Sequence, residues 1–251
     1  MSGEYIRGDG RRLDETRSIH IEPGFMPNAE GSALVRLGNT HVICTATIDP
    51  NVPRWMRGRG IGWVTAEYGM LPRSTAERVD RRRASSSGRT REIERLIGRS
   101  LRAVTDMAAL GECAVTIDCD VLRADGGTRT ASITGGYVAL AQAIESMQKQ
   151  SSSDVLILKE SVAAISVGIV DGRCVLDLPY EEDARADVDM NVVVTGSGDY
   201  VEIQGTAEAS PFTASQLQTM LDLARIGCEK MRNAQLLAVE NGRDRSNNQS
   251  R

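Results

Sequence analysis

Asp125-Gly-Gly-Thr-Arg-Thr-Ala-Ser132 is the stretch on which the reading of this chain turns. Before it, Cys113, Val115, Ile117, Cys119 and Val121 alternate with polar neighbours, the period-2 pattern of a half-buried strand. After it, a helical segment runs from about Thr130 to Met147, with Ser132, Gly135, Gly136, Ala139 and Ala143 small enough to let another element come close. A strand, a glycine turn and a helix in succession bring backbone N–H groups and the positive end of a helix dipole to one point, and Arg129 adds a forked cation. That combination suits a phosphate. No Gly-Lys-Ser/Thr follows, so it is not a Walker loop, and it lacks the dinucleotide fingerprint. The competing reading is a tight turn with a capping Thr and a surface Arg.

Working outward toward the N-terminus, Ser87-Gly-Arg-Thr90 repeats the device. Arg89 stands at the mouth of a helix expected over Thr90–Ala109, where a positive charge opposes the dipole unless an anion docks there. Ile93, Leu96, Ile97, Leu101 and Val104 share one face of this helix, and Arg91, Arg95, Arg99 and Arg102 fall opposite, beside Glu92 and Glu94. Gly31–Asp49 reads as a hairpin about Gly38-Asn39, and residues 50–88 as mostly loop with a short apolar piece at Ile61–Thr65. Toward the C-terminus, Gln148–Asp154 is a polar joint. Beyond it come a hairpin about Asp171-Gly172, two strands (Met190–Thr195 and Tyr200–Gln204) and a helix opened by Thr213 and Gln216 and ending near Ala234. The expected class is α+β, two related halves of mixed β-sheet packed with helices, over residues 1–150 and 151–240, followed by a disordered polar tail at 241–251.

The five cysteines lack C-x-x-C spacing and sit in apolar settings, which suits free buried thiols in a reducing cytoplasm and disfavours zinc. No apolar run reaches bilayer length, and the polar N-terminus has no leader-like stretch, so no membrane partner is expected. With only His20 and His41, chemistry falls more naturally to carboxylates, arginines and a metal ion.

Charge is unevenly spread around a formal net of −4. Arg54–Arg102 holds 13 arginines against five acids, and Asp171–Glu208 holds ten acids against two arginines. Such a division fits a polyanion held in one place and cations in another, or two solvated surfaces that pair with each other. Within the acidic region, Asp187 and Asp189 share one side of an extended segment and Asp183 is near enough to fold back on them. Unpaired carboxylates so close repel, which a divalent ion such as Mg²⁺ or Mn²⁺ relieves; the alternative is a solvated acidic loop. Arg185 lies between them as a rival partner. The loop arginines Arg73, Arg78, Arg81, Arg82 and Arg83 are candidates to track an RNA backbone, with aromatics too scarce, at 4%, for much base stacking.

Several blocks together resemble the ribonuclease PH family. They are Arg7-x-Asp-Gly-Arg11 with Arg17, Glu67–Thr75, Gly88-Arg-Thr90, Asp118–Val121, Asp125–Ser132, Asp189-Met-Asn191 and Gln204–Glu208, and they span the chain from Arg7 to the last helix. The resemblance implies a ribonuclease PH-like fold and a homohexamer, a trimer of dimers. It implies a phosphorolytic 3′→5′ exoribonuclease of the cytoplasm that trims transfer RNA precursors and other RNA 3′ ends. Inorganic phosphate is then co-substrate, nucleoside diphosphates leave, and the reverse reaction adds nucleotides. Phosphate binding falls on Arg89, Gly127, Thr128 and Arg129; the catalytic, acid or metal-site carboxylates on Asp183 and Asp189; and transfer RNA contacts on the loop arginines. A hydrolytic nuclease and a catalytically silent ring subunit are the alternatives.

Overall fold

The computed structural model describes residues 7–81, 87–151 and 155–249, with side chains as far as residue 243. The hairpin about Gly38 is β2 (Gly31–Leu37) and β3 (Thr40–Asp49), and β1 (Ile19–Pro23) pairs antiparallel along β2. β5 (Ala114–Arg123) runs antiparallel to β3, and β4 (Trp63–Met70) lies parallel to β5 at the edge, giving the order β1-β2-β3-β5-β4. The second sheet is antiparallel: β6 (Val162–Val170), β7 (Arg173–Leu176), β8 (Val188–Thr195) and β9 (Tyr200–Ala207), in the order β7-β6-β8-β9. The β6–β7 turn falls on Asp171 and Gly172, both at positive φ, as its sequence requires.

Among the described residues five α-helices and a 3-10 turn at Arg54–Met56 accompany the sheets. α1 (Gly88–Ala103) buries the face expected of it, with Ile93, Leu96, Ile97, Leu101 and Val104 all in the core. It stops earlier than its apolar period suggests, because Asp106 caps a separate turn, α2 (Met107–Leu110), accepting the N–H groups of Ala108 and Ala109 at 3.0 Å each. α3 (Thr128–Ser151) is apolar nearly all round because it lies between layers, against β2 and β3 on one side and β6 on the other. Its small residues matter. A Cβ on Gly135 would meet Val35 Cγ2 at 2.4 Å, and one on Gly31 would meet the Ala139 carbonyl oxygen at 2.0 Å, so helix and strand touch backbone to backbone.

α4 (Tyr180–Asp183) is a short turn, and α5 (Ala214–Gln249) packs on β1, β6 and β7. α5 opens with the expected reciprocal cap of Thr213 and Gln216. It continues well past Ala234. Gly242 sits against Gln142 and Pro23, and Arg243 pairs with Glu145 at 3.0 Å. The tail expected to be disordered is therefore helical through Gln249; residues 250–251 lie outside the described part. A second correction concerns β4. Val64, Ala66 and Tyr68 alternate into the core, so the supposed loop holds a full strand whose period is short and flanked by Arg and Gly. Arg102, assigned to the outward face of α1, instead lies over the Trp63 ring at 4.5 Å and donates to the Val64 carbonyl at 2.8 Å. Of the five thiols, Cys44, Cys119 and Cys228 are buried, and Cys113 and Cys174 only half so; all are free.

The halves are joined by buried charge. Asp177, fully enclosed and at φ 56°, accepts from Arg17 N (2.7 Å), Arg17 Nε (3.0 Å) and Arg17 Nη2 (2.6 Å), and from Arg11 at 3.3 Å. Arg7, also enclosed, grips Glu182 at 2.9 Å and the Asp177 carbonyl at 2.8 Å. Burial alone would raise the Asp177 carboxyl, but the hydrogen bonds and charges of Arg17 and Arg11 outweigh it and hold the group below its usual range. This stabilisation is present above the unfolded-state pKa near 3.8 and is lost as pH falls through the lower folded value. Asp177→Asn keeps the shape and takes from the buried Arg17 its close counter-charge, leaving it Asp125 at 4.0 Å, while Arg11 retains Asp9 at 2.7 Å. It should cost about 3–5 kcal/mol in urea unfolding at neutral pH. The gap from wild type should narrow in acid, and a pH-independent gap would assign the effect to shape rather than charge.

Candidate active site

The cap-and-glycine segments at the starts of α1 and α3 open on one cavity of about 670 Å³. Ser87 caps α1, its hydroxyl accepting from Thr90 N at 3.1 Å, and Arg89 is the second residue of that helix. Arg129 is likewise the second residue of α3. Two consecutive left-handed glycines, Gly126 (φ 71°) and Gly127 (φ 67°), turn the chain into α3. No side chain fits at Gly126, where a Cβ would meet the Leu178 carbonyl oxygen at 2.4 Å. Thr40 Oγ1 donates to the Gly126 carbonyl at 2.6 Å and accepts from Asp125 N at 3.0 Å, and Arg17 donates to the Asp125 carbonyl, so the turn is held from below. Thr128 shares a 2.8 Å hydrogen bond with the Tyr68 hydroxyl.

The opposite wall comes from the second half. Asp183 closes α4 and Asp189 stands near the start of β8, both lining the cavity with Arg89, Gly127, Thr128 and Arg129. All six residues expected from sequence to form one site are thus brought together. Asp187 is not among the lining residues; its backbone bonds Ile169 and Glu208. Arg185 points away and pairs with Asp171 at 2.9 Å, leaving Arg89 and Arg129 as the cations that face Asp183 and Asp189. Among the described residues, Arg89 carries no hydrogen bond or ion pair, and Arg129 is held only by the neutral amide of Gln204, at 3.1 Å.

Electrostatics separates the two carboxyls. Burial raises Asp183, and Arg89, Arg129 and Arg17 pull it back in part. Asp189 is pushed up to about 6, first by burial, then by the charge of Asp183, against the pull of Arg129 and Arg89. Among the described residues no group of three His, Cys, Asp or Glu side chains is arranged to hold a metal ion. Asp183 and Asp189 alone would be the donors here, two hard carboxylates of the kind that a cation such as Mg²⁺ accepts when water and substrate oxygens complete its shell. His20 and His41 lie on β1 and β3, outside the cavity.

Of the loop arginines, Arg73, Arg78 and Arg81 are exposed, and Arg82 and Arg83 lie outside the described residues. This loop adjoins the site: Thr75 lines the cavity and Ala124 N donates to the Ser74 carbonyl at 2.8 Å. Of the helical arginines, Arg99 serves elsewhere, forking onto Glu202 of β9 at 2.6 and 2.8 Å. Sequence reading gave no role to Tyr68, Glu92 or Gln204. Their partners lie 26 to 112 residues away; the one signal for Tyr68 and Gln204 is their presence in blocks of the resemblance, and Glu92 has none.

The model of a 3′ exoribonuclease family matches this chain with its domain 1 over residues 15–144 and its domain 2 over residues 160–227. The chain belongs to that family. Curated relatives named Ribonuclease PH include one from Bifidobacterium longum, 55% identical over 240 residues and covering 94% of this chain and 97% of the relative. Another, from Rhodospirillum rubrum, is 55% identical over 228 residues, covering 90% and 95%. A solved chain of the Archaeoglobus fulgidus exosome "with RNA bound to the active site" superposes with TM-score 0.78 at 22% identity, covering 91% of this chain and 92% of that one. Rice Rrp46 superposes with TM-score 0.75 at 15% identity, covering 93% and 100%. At those identities the two structures share the ribonuclease PH fold and argue nothing finer.

The raised carboxyl carries a stability consequence. A folded-state pKa near 6 against an ordinary 3.8 means that the penalty of burying Asp189 is absent in acid and grows as pH rises through 6. In buffer without phosphate or divalent ions, Asp189→Asn should stabilise the protein at pH 8 by roughly 1–3 kcal/mol and change little at pH 4. Thermal melts at both values check this; an equal gain at both would trace the effect to packing.

Proposed function

We propose that this cavity is a phosphorolytic centre and that the chain is a 3′→5′ exoribonuclease acting on transfer RNA precursors and other RNA 3′ ends. One observation carries the reading: two arginines at the starts of two helices, neither in an ion pair, face a half-buried carboxylate pair across one cavity. Phosphate already carries nucleophilic oxygens at neutral pH and needs no strong base. It needs help in approaching another anion. Arg89 and Arg129 screen and orient it, and Gly127 and Thr128 offer it backbone N–H groups at the helix start.

In the reaction a phosphate oxygen bonds to the terminal phosphorus of the RNA, and the bond from that phosphorus to the 3′ oxygen of the preceding nucleotide breaks. A nucleoside diphosphate leaves, and the shortened RNA ends in a 3′ hydroxyl. With no metal bound, Asp189, whose raised pKa keeps a protonated fraction at near-neutral pH, would hand a proton to that 3′ oxygen. In the alternative, Asp183 and Asp189 as carboxylates would hold a divalent cation, Mg²⁺ or Mn²⁺, which when bound would supply charge neutralisation at the leaving oxygen in place of that proton. One phosphate linkage replaces another, so nucleoside diphosphates also extend RNA ends in reverse.

Arg73, Arg78 and Arg81, with Arg82 and Arg83, take the RNA backbone beside the cavity. The assembly is a homohexamer, a trimer of dimers, a reading supported by the likeness of the fold to a chain of an archaeal exosome core and by Ile226, Leu236 and Leu237 exposed along α5. The place of work is the cytoplasm, which suits five free thiols; no helix among the described residues is long and apolar enough to cross a membrane.

Incubation of end-labelled RNA with and without phosphate, followed by chromatography of the mononucleotides, tests the reaction. Nucleoside diphosphates should appear only with phosphate, and monophosphates formed equally well without it would mean hydrolysis. In the same assay Asp189→Asn, which keeps the shape, should turn over at least about 100-fold more slowly.

A further inference from the structure

Arg129 is not held by an acid. Its Nη1 donates to Gln204 Oε1 on β9 at 3.1 Å, and Gln204 Nε2 donates in turn to Glu92 on α1. We propose that Gln204 and Glu92 form a relay that positions Arg129 for phosphate while leaving it out of any direct ion pair. This inference rests on the phosphorolytic reading of the cavity.

The direction of the relay follows from the donor inventory. A carboxylate only accepts and a guanidinium only donates, so a Gln between them has one orientation that satisfies both, with its NH₂ toward Glu92 and its oxygen toward Arg129. Glu92 therefore fixes the amide, and the amide fixes the guanidinium. A carboxylate at position 204 would hold Arg129 more strongly, but it would place a full negative charge beside the incoming phosphate. The neutral amide supplies geometry without competition.

The elements joined make the relay more than a local contact. Glu92 is three residues beyond Arg89 on α1, Arg129 belongs to α3, and Gln204 is on β9 of the other sheet. Two residues before Gln204, Glu202 clasps Arg99, seven residues beyond Glu92. Paired residues two apart on a strand and seven apart on a helix present the same faces, so β9 lies along α1 as a splint. The two phosphate-facing arginines are thereby set at a fixed spacing through a strand that belongs to the half carrying Asp189.

The test separates this inference from the reading beneath it. Wild-type enzyme is first assayed for phosphate-dependent release of nucleoside diphosphates; its failure there would sink the phosphorolytic reading and the relay together. Given that activity, Gln204→Leu should raise the KM for phosphate about tenfold or more, the value of one hydrogen bond to a charged group. Its kcat at saturating phosphate and its KM for RNA should stay within about twofold. Gln204→Glu should raise the phosphate KM further than Leu does, because its carboxylate opposes the anion; a purely structural role predicts the reverse, since Glu pairs better with Arg129. Glu92→Gln, which permits either amide orientation, should show a smaller rise than Gln204→Leu. An unchanged phosphate KM in Gln204→Leu, or equal losses for RNA and phosphate, would overturn the relay with the phosphorolytic reading intact.

Discussion

The buried pairing of Arg17 with Asp177 is the constraint on which the rest of this molecule hangs. A guanidinium and a carboxylate withdrawn from water repay their desolvation only when nearly every donor and lone pair is met, and here they are. Asp177 takes three hydrogen bonds from Arg17 and one from Arg11, and Arg17 spends its remaining donors on the carbonyls of Asp125, Gly126 and Leu178. One side chain thus fastens the glycine turn at the start of α3 to the segment that leads into α4 in the other half. Asp177 itself sits in the left-handed region, a cost of order 1–3 kcal/mol for a non-glycine residue, tolerated because its surroundings over-determine it.

The site inherits its geometry from that fastening. Each of its parts lies at an element end: the first turns of α1 and α3, the last residue of α4 and the beginning of β8. Ends are where backbone groups lack partners and where helix dipoles act, so they suit anion chemistry, but they fray unless tied. The ties run between halves. The electrostatic pattern also divides by purpose: in the Arg17–Asp177 region every charge is met, whereas in the cavity the arginines are left unpaired and a carboxyl is held at raised pKa. Stability there is given up for binding and proton transfer.

Local chemistry was legible in the sequence and long-range chemistry was not. The turns at Gly38 and Asp171-Gly172, the apolar face of α1, the cap of α5 and the glycine turn into a helix at Asp125–Ser132 all follow from rules of a few residues, and the structure has them. Asp183 and Asp189 stand out in the sequence as an acidic cluster and the resemblance implies their role, but that they face Arg89 and Arg129 is seen only in the structure. β4 escapes a local reading because its alternation is flanked by arginine and glycine, and the end of α1 does so because Asp106 caps a new turn while the apolar period continues through Val104, Met107 and Ala108. Arg17 with Asp177 and Gln204 with Glu92 join positions 160 and 112 residues apart, where no local pattern reaches.

The contact of Gly31 with the Ala139 carbonyl has a mechanical reading. Ala139 lies ten residues along α3 from Arg129, about 15 Å away. A helix is stiff over that distance, and a bare backbone contact leaves no side chain to absorb displacement. The strand therefore acts as a fulcrum, and any sideways shift there would tilt the far end of the lever, where the arginine meets its anion. Two glycines in the first half's core, Gly31 and Gly135, thus set the aim of a charge that neither of them touches.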